Sequence, residues 1–155
     1  MSLIHPELIF QNKSFENNES ALYFLADKLY VNKFVKSTFK DAVVDREGKF
    51  PTGLPTGKIS VAIPHADSAH VIKSALGVMT LDSPIKFHNM GDPDSKLDVS
   101  LIIMLAIGEP HGQITMLQKL MGIVQDQKHL EQILAYEDKD SLYKDLHHTF
   151  KDIKV

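Results

Sequence analysis

The sequence predicts a single layered α/β domain. Three observations carry that prediction. Strand-like apolar segments are interleaved with segments whose apolar residues recur at helical spacing. A chain of 155 residues, 43% of them apolar, is the size of one compact domain with a sizeable buried core. No internal repeat, low-complexity tract or linker divides it.

Asn17-Asn18-Glu19-Ser20 supplies helix N-cap side chains, and Leu22, Leu25, Ala26 and Leu29 follow at helical spacing, which predicts a first helix over 19–30. Val35, Phe39, Ala42 and Val43 share one face of a second helix ending near Glu47-Gly48, with Arg46 in its last turn or just beyond. A Pro/Gly/Thr-rich loop, Phe50 to Gly57, comes next. Three β-like segments follow, Ile59 to Ile63, Ala75 to Leu81 and Leu97 to Ile107, the last central and buried. Ser83-Pro84 through Asp92-Pro93-Asp94 reads as a turn-rich connection between the second and third. Pro110-His111-Gly112 opens a helix whose stripe of Ile114, Leu117, Leu120, Met121 and Val124 covers one face of the sheet. Leu130, Ile133 and Leu134, then Leu142, Leu146 and Phe150, mark two more short helices.

Composition narrows the function classes. The chain has no cysteine, which excludes disulfides, thiolate chemistry and Cys-based zinc sites within it. The start, Met1-Ser2-Leu3-Ile4-His5-Pro6, lacks the basic residues and long apolar core of a signal peptide, so nothing predicts export. The longest apolar run, Val99 to Ile107 with Ser100 inside it, falls short of the ~20 residues of a membrane span. With 17 basic and 20 acidic residues mixed along the chain and a net charge of -3, no basic stripe for nucleic acid is present.

Three constellations invite a chemical reading. Gly53-Leu54-Pro55-Thr56-Gly57-Lys58 looks like part of a nucleotide-binding loop, but its glycines stand too close, Ile59 replaces the magnesium-binding hydroxyl, and a strand follows where a helix N-terminus is needed. His65, Asp67 and His70 offer metal-ligand atoms at a spacing that matches no zinc motif. The third is Ala62-Ile63-Pro64-His65-Ala66-Asp67, where a strand delivers an imidazole, expected to be exposed, just past a proline into an expected helix start. A neutral imidazole is a competent nucleophile at cellular pH, and its phosphoramidate passes the group onward. Ala66 leaves room for an incoming donor, and a helix beginning at Asp67 or Ser68 would aim N–H groups at a phosphoryl group. Arg46, the only arginine, offers a planar fork for phosphate oxygens. The plainer readings are a surface ion pair of Arg46 with Asp45 or Glu47, and a capping histidine at a strand end. The residues alone leave both pairs of readings open.

The stretch from Asp45-Arg46-Glu47 through Phe50-Pro51-Thr52-Gly53 to Ala62-Ile63-Pro64-His65 resembles the enzyme IIA domain of the fructose/mannitol class in the bacterial sugar phosphotransferase system. Phe-Pro-Thr-Gly-Leu ahead of Ile-Pro-His is most similar to the galactitol branch, and the likeness of layout runs through Leu117-Gln118-Lys119-Leu120. The resemblance implies one domain over residues 1–155, a three-layer α/β/α sandwich with a mixed β-sheet flanked by helices. It implies that His65 accepts a phosphoryl group on Nε2 from phospho-HPr and passes it to a cysteine of a IIB subunit. Nδ1 should then be oriented by a hydrogen-bond partner, with Arg46 as the active-site arginine and Thr52 in the loop beside it. The second active-site histidine of that class aligns with Gln113; His111 lies two residues earlier and is the other candidate. No metal or organic cofactor is required. Without a cysteine or a membrane span here, IIB and the membrane IIC component are expected as separate proteins, and the chain as a cytoplasmic carrier in polyol uptake. Two alternatives stand beside this reading: a regulatory phosphohistidine module uncoupled from transport, and a metal-dependent hydrolase using His65, Asp67 and His70.

Overall fold

The order of apolar residues in β5 (Asp92–Ala106) decides the architecture. Its inner half is Leu-Ile-Ile-Met-Leu-Ala, wholly buried, and because successive side chains of a strand face opposite ways, it feeds two cores at once. Ile102, Met104 and Ala106 join a cluster with Leu22, Leu25, Phe39 and Val43. Leu101, Ile103 and Leu105 join a second cluster with Met116, Leu120, Leu130, Leu142 and Leu146. The structure is a computed structural model that describes residues 2–155, and Met1 lies outside the described residues.

Helices α1 (Asn18–Val31) and α2 (Phe39–Lys49) cover one face of the sheet, and α3 (Pro110–Ile123), α4 (Gln127–Ala135) and α5 (Lys139–Phe150) cover the other. That is the expected three-layer sandwich. The sheet is mixed and five-stranded: β1 (Ile9–Lys13) runs parallel to β4 (Ala75–Asn89), β4 antiparallel to β5, β5 parallel to β3 (Ser60–Ala62), and β3 antiparallel to β2 (Gly53–Leu54). Caps fix the helix starts. The Asn17 side chain accepts from the Ser20 N–H at 2.9 Å, Glu109 from the N–H groups of His111 and Gly112, and Asp138 from that of Ser141.

Four expectations are corrected. The supposed connection around Ser83-Pro84 and Asp92-Pro93 is strand: β4 continues to Asn89, turns at Met90-Gly91 and returns as β5. A register shift between Thr80 and Ile85 takes Pro84 out of the regular ladder, which is how a proline is tolerated there. β1 and β2 carried no strand signal, since β1 ends in Gln-Asn-Lys with Asn12 at a positive φ, and β2 is two residues long. The apolar stripe of α3 is rotated: Gly112, Met116 and Leu120 are buried, while Ile114 and Met121 are exposed. Finally, the segment after Asp67 forms a single 3-10 turn, Ser68–His70, so the expected α-helix start is not formed there.

Candidate functional site

Strand β3 ends at Ala62, and the chain continues beside β5 through Ile63, Pro64 and His65. The Pro64 carbonyl accepts from the Leu105 N–H at 2.9 Å, and His65 bridges to Leu105 in parallel register. The backbone of His65 is thus fastened to the sheet. Its Nδ1 lies 2.9 Å from the carbonyl of Ile63, a group that only accepts, so Nδ1 carries the proton and the lone pair resides on Nε2. Nε2 has no protein hydrogen-bond partner among the described residues. The expected exposure of the imidazole is corrected, because His65 is 5% exposed and lines a pocket of about 340 Å³. Burial lowers its pKa below the ordinary 6.5 and the charge of Arg46 lowers it further, against the raising effects of the Ile63 carbonyl and Asp67. The ring is therefore held neutral.

Arg46 sits in the last turn of α2 and reaches the same pocket. Its guanidinium lies 5.4 Å from the centre of the Phe50 ring, and Nη1 is 3.9 Å from Asp67 Oδ1. That separation is too long for a hydrogen bond, and an exposed pair of this kind contributes about 0–1 kcal/mol. The plainer ion pair with Asp45 or Glu47 is not what forms: Asp45 pairs with Lys49 at 3.1 Å, and Glu47 turns inward. The guanidinium makes no hydrogen bond to the described residues; Nε is buried without a partner, which leaves the Nη donors for an anion.

Glu47 is buried at 5% exposure, and its carboxylate accepts from both the N–H (2.8 Å) and the hydroxyl (2.7 Å) of Thr52. Burial drives its pKa up to about 7 against the lowering effect of those two bonds. Thr52 lines the pocket as expected, but its hydroxyl is given to Glu47 and is not directed at a phosphate. Ala66 is buried beside His65 and Asp67 is exposed.

Beyond Arg46, Lys49, Thr52 and His65, the pocket wall is apolar. Phe50 and Pro51 form one side, Met90 comes from the β4–β5 turn and Pro93 from the start of β5, and Leu117 and Met121 come from α3. Neither Gln113 nor His111 lines it. His111 is exposed in the first turn of α3, whereas Gln113 is half-buried with its Oε1 lacking a hydrogen-bond partner. Gln113, Leu117 and Met121 follow at intervals of four on one helix face, so Gln113 stands one turn above the wall.

The metal reading finds no ligand set. The Nδ1 atoms of His65 and His70 are engaged by the Ile63 carbonyl and by the Thr38 hydroxyl (2.8 Å), and among the described residues no three His, Asp or Glu side chains are grouped to hold an ion. Sequence reasoning missed Glu47 as a site residue, although Phe39, Val43 and Glu47 stand at i, i+4 and i+8, and that spacing continues the buried line of α2. It also missed Met90 and Pro93, which reach the site only because the hairpin is long.

The chain matches the family described as "Phosphoenolpyruvate-dependent sugar phosphotransferase system, EIIA 2" over residues 2–148. It is 28% identical over 122 residues to the galactitol-specific EIIA component of the phosphotransferase system of Escherichia coli (strain K12), covering 79% of this chain and 81% of that protein. In fold it is similar to IIA mannitol from Escherichia coli, with a TM-score of 0.77, 21% identity and coverage of 92% and 98%. It is likewise similar to a chain in the complex of enzyme IIAMTL and phosphorylated enzyme IIBMTL from Escherichia coli, with a TM-score of 0.75, 21% identity and coverage of 92% and 96%. Among the described residues no helix is long and apolar enough to cross a membrane.

Proposed function

The chain belongs to the EIIA 2 family of the phosphoenolpyruvate-dependent sugar phosphotransferase system, a family of phosphotransferase proteins that work through a phosphohistidine, and on that premise we propose that His65 carries the phosphoryl group. The observation that carries this reading is the state of the imidazole: neutral, proton on Nδ1, lone pair on Nε2, in a histidine that lines one pocket with Arg46.

The transfer balances without a base. The Nε2 lone pair attacks phosphorus of phospho-HPr as the donor's N–P bond breaks and its electron pair returns to the donor imidazole. The ring keeps its Nδ1 proton on the Ile63 carbonyl, so phosphorylated His65 holds a cationic ring. That ring departs as neutral imidazole when a thiolate of a IIB cysteine forms the next bond to phosphorus. Arg46 supplies donors to the equatorial oxygens in both steps, where catalysis rests on positioning and electrostatics. Gln113 is our choice for the place of the family's second histidine, on the strength of its unpartnered Oε1 and its position in line with Leu117, with exposed His111 the lesser candidate. A Gln donates or accepts a hydrogen bond but cannot become cationic. The apolar wall offers both partners one face, so HPr and IIB dock in turn.

The finer assignment, a cytoplasmic component serving uptake of galactitol through IIB and a membrane IIC, is supported by the galactitol-specific relative and by the Phe50-to-Leu54 run. Purified protein labelled from phospho-HPr tests the carrier reading. Label should reside on His65, be acid-labile and move to a IIB cysteine. Full labelling of His65→Ala would overturn it, and label that no IIB takes up would favour a regulatory role.

A further inference from the structure

We propose that Glu47 is a positioning residue for transfer through His65: its buried carboxylate fixes Thr52, Thr52 fixes Ile63, and Ile63 sets the proton of His65 on Nδ1. Each link is a hydrogen bond. The carboxylate receives the Thr52 N–H at 2.8 Å and the Thr52 hydroxyl at 2.7 Å. The Thr52 carbonyl receives the Ile63 N–H at 3.3 Å, and the Ile63 carbonyl receives His65 Nδ1–H at 2.9 Å. The antiparallel pairing of Gly53 with Ala62 runs beside these links and keeps the two segments in register.

The inference rests on reading His65 as the phosphoryl carrier. Packing alone does not account for Glu47. A carboxyl group is costly to bury, and an apolar side chain at the next position of the Phe39-Val43 line would fill the space without that cost. Nor does Glu47 neutralise Arg46, its neighbour in sequence, whose acidic partner is Asp67. Both of its oxygens are used on Thr52. The last turn of α2 therefore delivers two functions one residue apart, with Arg46 directed to the pocket and Glu47 to the backbone beneath it. If the chain of bonds is cut, the aim of the Ile63 carbonyl at Nδ1 loosens although the sheet still holds its neighbours, and the imidazole shifts toward the Nε2–H tautomer that an unconstrained histidine prefers, which removes the nucleophilic lone pair.

The test combines 15N-resolved NMR of the unphosphorylated His65 ring with the rate of label transfer from phospho-HPr, on the full chain. In wild type, Nδ1 should be protonated and Nε2 bare. Glu47→Ala should move the ring toward Nε2–H and slow transfer roughly 10- to 100-fold, while Glu47→Gln, which keeps an acceptor for the Thr52 N–H, should retain the wild-type ring and a rate within about threefold. A folded Glu47→Ala protein with wild-type ring signals and rate would overturn the inference. If Glu47→Ala does not fold, Thr52→Val, which removes one of the two bonds, should shift the ring in the same direction, and an unchanged ring overturns the inference there. Failure of wild-type His65 to take label would defeat the carrier reading, and the ring measurement would still decide the role of Glu47.

Discussion

Replacing Glu47 by glutamine should stabilise the protein at alkaline pH and leave it nearly unchanged in acid. The folded state raises the pKa of this carboxyl from the ordinary 4.5 to about 7, because burial opposes its charge. Between those values the native state binds more protons than the unfolded chain, so stability is fully present below pH 4.5 and is lost as pH rises toward 7. At 1.36 kcal/mol per pH unit, the loss is roughly 3 kcal/mol. Glutamine has no charge to bury and should not show that slope. The two melting temperatures should then nearly coincide at about pH 4.5 and separate by roughly 6–12 °C at about pH 8, with the variant higher. Thermal unfolding followed by far-UV circular dichroism at several pH values measures the difference, and contributions from other titrating groups cancel between the two proteins. An offset that is the same at both ends would refute the reasoning, since it would mean that the buried carboxylate carries no charge penalty.

His65 contributes the opposite slope. Its folded pKa is depressed, so its stabilising contribution is present above pH 6.5 and is lost as pH falls through the folded value; His65→Gln should flatten the acid side of the stability profile. Arg46→Lys should keep the melting temperature but slow transfer from phospho-HPr about tenfold or more, because a point charge replaces the fork. Met121→Asp, at an exposed wall position, should weaken partner affinity roughly tenfold as measured by calorimetry, with the NMR signals of His65 unchanged. Leu101→Ala, at a fully buried position of β5, should cost about 2–5 kcal/mol in urea unfolding.

The sequence disclosed what short-range patterns encode. Leu22, Leu25 and Leu29 announce α1, the run from Val99 to Ile107 announces the central strand, and the cap sequences mark where helices begin. His65 and Arg46 were conspicuous, one by the proline before it and the other by being the only arginine. What escaped depends on partners distant in sequence. β2 is a strand only because Gly53 meets Ala62 and Asn89, and two residues carry no period. The α3 stripe was misjudged because a helix with apolar residues on more than one face does not reveal which will meet the sheet and which, like Met121, will line a pocket. The depth of His65 and the inward turn of Glu47 follow from the crossing of two backbone segments, which neither segment encodes alone.

The pocket draws on α2, the end of β3, the β4–β5 turn and α3, with the turn pinned over the loop where the Met90 N–H reaches the Gly53 carbonyl at 2.8 Å. Arg46 and Met121 are far apart in sequence, so the pocket closes only at the entropic cost of ordering the intervening chain. A nascent or partly unfolded chain lacks the bound Nδ1 proton, the arginine and the apolar wall together. If His65 is the carrier, such a chain should accept no phosphoryl group.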